Sequence, residues 1–389
     1  MFKRSLVGFY FLFLFSLLIF IVNNGSQQAY ISYSFKIILI LLSVACVSFL
    51  IIRSIFLPID RSILVVLLSF SLYSILYCIL SFNGLNVFTG LQRGFQVVSV
   101  LSVFYVFYFL GRKVNDDYFP YVILLLKFLF IFYFCISLVF AQYSNFDGGL
   151  LNPNGFGLWV GLFGLVLLQG WKDEGCIQKI LLPVLTIYLI YISSSRTALA
   201  AYFLCFIVFL LPVRVLRNKF VSYSMLVIVL FSSFVLLYLY VNIDSTSSDV
   251  VAINELVRNY SGKNLLSGRN EIWPLLMEYA FYKPLLGWGA GMQVYDIVGV
   301  NLSAHNFYIQ TFIQVGFVGI FFLLLIIFSI FNSILKIQNV LGFKGSLSVF
   351  LYILLVQNFE VTLLQNNLAL SYPAWAFIGF MIGFDRCRV

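Results

Sequence analysis

The stretch FYIQTFIQVGFVGIFFLLLIIF, residues 307–328, runs for 22 residues with no charged side chain and none of the polar–apolar alternation of a strand. A run of that length and composition reads as a helix spanning a bilayer. Working outward, comparable runs cover 5–22, 35–52, 62–81, 95–110, 119–141, 155–170, 177–192, 197–212, 222–241, 346–364 and 368–384, about twelve spans in all. The composition demands the same environment. At 62% hydrophobic and 10% charged residues, with a mean hydropathy of +1.04, 389 residues hold too little polar side chain to coat a water-soluble globule. Backbone groups in hydrocarbon must be bonded internally, which leaves helices or closed barrels. The expected fold is an all-α integral membrane protein.

Met1-Phe2-Lys3-Arg4 and the apolar run to Val22 look like a signal peptide, but no small-x-small cleavage pattern follows, so an uncleaved first span is expected. The net charge of +9 does not indicate nucleic acid, because the lysines and arginines are scattered through short connections and form no basic face. Topology accounts for them better. Of the 23 basic residues, 15 fall on the ends that share a side with the termini and six on the other. The positive-inside rule then places both termini in the cytoplasm. Four cysteines (Cys46, Cys78, Cys135, Cys205) sit in apolar runs, and no Cys-x-x-Cys occurs, so neither a disulfide framework nor a thiolate metal site is expected.

This organisation divides the chain into spans one to nine (1–241), a large extracytoplasmic loop (242–306) and spans ten to twelve (307–389). Within the loop, Glu271 to Tyr282 carries Ile272, Leu275, Leu276, Tyr279 and Tyr282 at helical spacing, an amphipathic helix lying in the membrane interface. Ser267 or Asn270 could cap it, which would set Arg269 beside free backbone N–H groups in an arrangement that suits a phosphate. Pro284 and the glycines from Gly287 to Gly291 end it and turn the chain back.

On the outer side, Arg93 and Arg196 occupy short connections that the sorting rule does not explain. Arg196 closes the hairpin Ser193-Ser194-Ser195-Arg196, either as a snorkelling side chain or as an anion-binding one. Asn154, in Asn152-Pro153-Asn154-Gly155, belongs to a turn first and could bond a sugar second. Lys127 and Glu360 are ionisable groups at membrane depth, with Glu360 at the outer end of the eleventh span. His305, the one histidine, sits beside Asn306 where the loop re-enters the membrane and is read either as a cap or as a base.

No Asp-x-Asp, no metal-ligand cluster and no phosphate-binding Gly-Lys-Ser/Thr loop is present, so neither metal nor nucleotide is expected as a cofactor. Outer arginines with a neutral-range base match attack by a sugar hydroxyl on an anomeric carbon whose leaving group is a lipid-linked pyrophosphate. A flippase of lipid-linked sugars would want charges along a central cavity and an internal repeat, and neither is visible.

The motifs Ser193-Ser194-Ser195-Arg196-Thr197-Ala198, Ser267-Gly268-Arg269 with Ile272-Trp273, Pro284-Leu285-Leu286-Gly287-Trp288-Gly289, Ala304-His305-Asn306-Phe307-Tyr308-Ile309-Gln310 and Gly316-Phe317-Val318-Gly319 resemble, in order, the signature of the O-antigen ligase and polymerase superfamily. The resemblance covers roughly residues 150–325. It implies a metal-independent, inverting, GT-C-type glycosyltransferase of the bacterial inner membrane, active on the periplasmic face. Donor and acceptor would be undecaprenyl-pyrophosphate-linked glycans, with membrane lipids and a chain-length regulator protein as further partners. Arg196 and Arg269 match the family's pyrophosphate-binding arginines and His305 its catalytic histidine. Arg93, Asn306, Asn154 and Glu360 join them as substrate-binding candidates. Of the two activities the polymerase is favoured, on the compact Arg269 to Trp273 and Pro284 to Gly289 runs and the 45 Phe and 24 Tyr; the ligase shares every motif.

Overall fold

The computed structural model describes residues 61–386 apart from 83, 85, 114–118, 141–145, 149–151, 171–174, 245, 262–263, 265, 300–302 and 367. The expected spans 5–22 and 35–52 lie outside the described residues. Helices follow one another as α1 (Arg61–Ser81), α2 (Val87–Gly111), α3 (Phe119–Phe140), α4 (Pro153–Leu167), α5 (Cys176–Ile192), α6 (Arg196–Leu210), α7 (Lys219–Asn242), α8 (Ser248–Ser261), α9 (Arg269–Phe281), α10 (Phe307–Leu335), α11 (Val340–Val356) and α12 (Leu368–Arg386). Single helical turns occur at 213–216 and 295–298, and no strand occurs among the described residues.

Two faces of α1 show what solvent the bundle is built for. Ile63, Val66, Phe70, Tyr73 and Tyr77 are buried, while Leu64, Leu68, Leu72, Ile75 and Ile79 are exposed. A helix apolar all round, with its exposed face as apolar as its buried one, belongs in lipid. In α7 the outward face is again apolar, and the buried face is the one that holds serines beside Leu226 and Val229. Ser222 and Ser233 are buried, while Phe220, Ile228, Phe231, Phe234 and Tyr238 face outward. Among the described residues, five helices are long and apolar enough to cross a membrane, Ile63–Ser81, Val87–Gly111, Phe119–Val139, Lys219–Asn242 and Phe307–Leu335, and Cys176–Ile192, Arg196–Leu210 and Val340–Val356 are shorter apolar helices. The protein is an all-helical membrane protein.

With no hydrophobic drive between helices in lipid, close association depends on small residues that let backbones approach. The most extensive helix pair, α2 with α12, is built this way. Gly379 and Gly383, one turn apart, rest on the carbonyls of Phe104 and Tyr108, and Gly111 rests on that of Phe380. A Cβ at any of the three would lie 2.0–2.3 Å from the carbonyl oxygen it faces. Helix α1 packs on α2 and α10, α11 on α6, and α4 on α5 and α6.

Helix α10 is interrupted. Gly316 takes φ 60° and ψ −160°, which a residue with a side chain rarely adopts, and the break leaves backbone groups without helical partners. The segment Pro284–Gly289 supplies them. Trp288 N–H donates to the Ile313 carbonyl at 2.8 Å and Gly289 N–H to that of Gln314 at 3.0 Å, while Phe317 and Val318 N–H donate to the carbonyls of Pro284 (2.8 Å) and Leu285 (3.1 Å). The glycine run that ends α9 and turns the chain back is inserted into the bundle, with Gly289, Ala290, Gly291 and Met292 buried. Helix α9 covers the insert, burying Trp273, Leu276 and Ala280 among Met292, Val294, Ile309 and Ile313. A Cβ on Gly316 would lie 2.4 Å from the Leu285 carbonyl oxygen. Gly316→Ala is therefore expected to destabilise the fold by at least about 1–3 kcal/mol, read as a lower Tm in detergent; an unchanged Tm would contradict this account of the break.

Candidate active site

The site is organised by a second interruption. The expected span 346–364 ends as a helix at Val356, and residues 357–366 follow without helical structure. Four successive residues of this segment hold four parts of the site. The Gln357 carbonyl accepts from Phe307 N–H (2.9 Å), the Asn358 carbonyl from Asn306 Nδ2 (3.1 Å) and the Phe359 carbonyl from Arg269 Nη2 (3.4 Å). The Glu360 carboxylate stands 3.8 Å from His305 Nδ1. The segment bonds itself as well: Gln357 accepts from Thr362 N–H and donates to Thr362 Oγ1, both at 3.0 Å. Glu360 is thus not a helical residue, because the polar side chains around it bond the turn instead of facing lipid.

Arg269 opens α9. The cap expected from Ser267 or Asn270 is instead Gly268 in the left-handed region, and Ser267 Oγ donates to the Asn264 carbonyl at 3.0 Å. The Arg269 guanidinium lies over the Phe359 ring, 5.1 Å from its centroid. Its Nε is buried without a hydrogen-bond partner among the described residues. Burial pulls this guanidinium below its ordinary value, with the Tyr240 hydroxyl and Glu360 opposing that shift and the positive charge of Arg196 adding to it. The positive charge of Arg196 acting on Arg269 means that the two guanidinium groups stand near each other, an arrangement that suits a shared anion. Arg196, the first residue of α6, reaches across the chain to the Asn264 carbonyl at 2.9 Å and to Ser267 Oγ at 3.5 Å, which ties its hairpin to the entrance of α9.

His305 has φ 47°, which turns the chain sharply into α10. Asn306 caps that helix, its Oδ1 accepting from Tyr308 N–H (2.9 Å) and Ile309 N–H (3.0 Å). Both ends of the Asn306 amide are therefore engaged by the fold. The His305 side chain is 42% exposed although its Nδ1 is buried, so the open edge of the ring is the one that carries Nε2. That edge borders a cavity of about 170 Å³, whose lining includes Asn152, Ser303, Glu360 and Thr362.

The remaining expected residues fall elsewhere. Arg93 is not in a connection, since α2 begins at Val87. Its guanidinium donates to the carbonyls of Ala290 (3.1 Å) and Met292 (2.8 Å), so it fastens the inserted loop. Gln310 and Gln314 donate to the same Met292 carbonyl, at 3.3 and 3.1 Å. Among the described residues, none of the contacts of Arg93 is with Arg196, Arg269 or His305. Asn154 lies in the first turn of α4, where its N–H is bonded by the Asn152 cap at 2.9 Å. Tyr240 and Phe359 escaped the sequence reading because each sits in an apolar run, and spacing along the chain gives no hint that Arg269 lies between them.

The Asn306 geometry makes a measurable ordering. Asn306→Ser keeps a capping oxygen and loses the bond to Asn358, while Asn306→Ala loses both. Thermal stability is expected to fall in the order wild type, Ser, Ala, with the alanine variant lower by about 1–2 kcal/mol. Equal stability of all three would contradict the cap.

No curated protein gives a significant match to the chain. The comparison with protein families does. Residues 181–324, from within α5 into α10, match the family model described as O-antigen ligase. Glu360 and Asn152 lie outside the matched residues. The stretch that supplies Arg196, Arg269 and His305 is therefore similar to the O-antigen ligase family over that part of the chain.

Proposed function

We propose that the protein is an O-antigen polymerase, an inverting, metal-independent, GT-C-type glycosyltransferase of the bacterial inner membrane. It moves a growing glycan from undecaprenyl pyrophosphate onto the non-reducing end of the next lipid-linked repeat unit. The observation that carries this reading is the gathering of Arg196, Arg269, His305 and Glu360, from four separate segments of the chain, around one half-buried site. The lysine and arginine asymmetry supports about twelve spans with both termini in the cytoplasm, which puts this site on the periplasmic face.

The acceptor hydroxyl attacks the anomeric carbon of the donor. Its proton passes to His305 Nε2, and Glu360, 3.8 Å from Nδ1, faces the charge that the ring acquires. The bond between the anomeric carbon and the pyrophosphate oxygen breaks, and its electron pair leaves on the pyrophosphate. Arg196 and Arg269 stabilise that charge, so no nucleotide energy is required. This chemistry calls for no metal. The ligase, which would move the finished chain to lipid A–core, is the alternative, and the family match is common to both readings. The compact motif run and aromatic-rich composition favour the polymerase.

In cells lacking the chromosomal copy, Arg196→Ala, Arg269→Ala and His305→Ala should each reduce glycan longer than one repeat by about 10²-fold or more, with protein level in the membrane unchanged. Arg269→Lys should also lose about tenfold, since the planar fork is replaced by a point charge. Normal polysaccharide from any of these variants would remove that residue from the mechanism.

A further inference from the structure

The cavity beside His305 has a lining that the arginine site does not explain. Among the described residues its ionisable side chains are His305 and Glu360; neither Arg196 nor Arg269 contributes to the wall. The other polar groups are neutral: Asn152, Ser303, Thr362 and Asn366. Leu158 and Leu370 supply apolar surface. Neutral amides and hydroxyls beside aliphatic walls suit a sugar ring, whose edges carry hydroxyls and whose faces carry C–H groups. Size agrees. A cavity of about 150 Å³ holds a six-membered ring, so about 170 Å³ holds one pyranose.

Two of the lining side chains have hydrogen-bonding capacity that the fold leaves unused. Asn152 uses its Oδ1 to cap α4, and its side-chain NH₂ has no partner among the described residues. Asn366 takes φ 63° and bonds Gln96 only through its backbone N–H, at 3.2 Å, so its carboxamide likewise has none. Thr362 accepts from Gln357 and still has its own hydroxyl proton to donate.

We infer that this cavity is the acceptor-sugar subsite, taking one uncharged pyranose whose hydroxyls bond Asn152, Thr362 and Asn366 while one hydroxyl is presented to His305. The inference rests on the glycosyltransferase reading of the same site. It adds a division of substrates by charge. The pyrophosphate belongs with the arginines, and a terminal sugar bearing a carboxylate or phosphate is rejected by Glu360 in a wall that offers no arginine or lysine.

The test uses the purified full chain in detergent and saturation-transfer NMR with two probes. One is the free repeat-unit oligosaccharide, released from its lipid pyrophosphate by mild acid; the other is lipid A-free core oligosaccharide. Asn366→Gly removes the amide and tolerates the left-handed backbone, and Asn152→Ser keeps the α4 cap while removing the NH₂. The free repeat unit should bind wild type and Arg269→Ala alike. Each asparagine variant should weaken that binding roughly fivefold, and the double variant by more. Core oligosaccharide binding instead, with the same sensitivity to the asparagines, would keep the subsite and overturn the polymerase reading. Binding of neither probe, binding unchanged in the double variant, or binding lost in Arg269→Ala would overturn the subsite.

Discussion

Backbone groups left open inside a membrane bundle must be bonded by other parts of the protein, and two such places stand out among the described residues. At Gly316 the freed groups of α10 are bonded by Pro284–Gly289. After Val356 the carbonyls of Gln357, Asn358 and Phe359 are bonded by Phe307, Asn306 and Arg269. Irregular backbone is tolerated at membrane depth only where protein or a polar cavity surrounds it. Both interruptions meet that condition, and both converge on α10, one near its entrance and one along its course. The loop between α7 and α10 is thereby pulled into the bundle, and Arg269 and His305 are held by the same short segment.

Charge is then distributed with little left over. Arg93, the buried arginine, is neutralised by carbonyl dipoles of the inserted loop and stabilises its position. Arg269, partly buried beside Tyr240, Phe359 and Glu360, has one nitrogen without a hydrogen-bond partner among the described residues. Arg93, which fastens two carbonyls of the inserted loop, reads as structural, whereas an arginine with a buried unused donor near a second arginine suits an anion. The same contrast separates Asn306, engaged at both ends of its amide, from Asn366, whose amide is unused.

Much of the helical framework is legible in the sequence because hydropathy alone specifies it. The runs 62–81, 119–141 and 177–192 agree with α1, α3 and α5 within a residue or two at each end. The disagreements have a common cause. Helix α2 begins at Val87, eight residues before the expected 95, because Gln92 and Arg93 interrupt the apolar run, yet Arg93 finds partners in a segment distant in sequence. Helix α11 stops at Val356 because Gln357, Asn358, Glu360 and Thr362 bond the turn that builds the site. That polar density within an apparently apolar span is a signal the sequence does contain. Arg196, Arg269 and His305 stand out as rare charges and a lone histidine on one predicted face, but the pairing of His305 with Glu360 depends on long-range packing that no local pattern encodes.

The central claim is chain extension by this site, and the polysaccharide of a smooth strain from which the chain is deleted tests it most directly. Loss of a polymerase leaves lipid A–core capped by a single repeat unit, and that is the expected product on a gel. Bare core with lipid-linked polymer accumulating would mean ligation instead, and bare core with no polymer would mean transport; either would contradict the account.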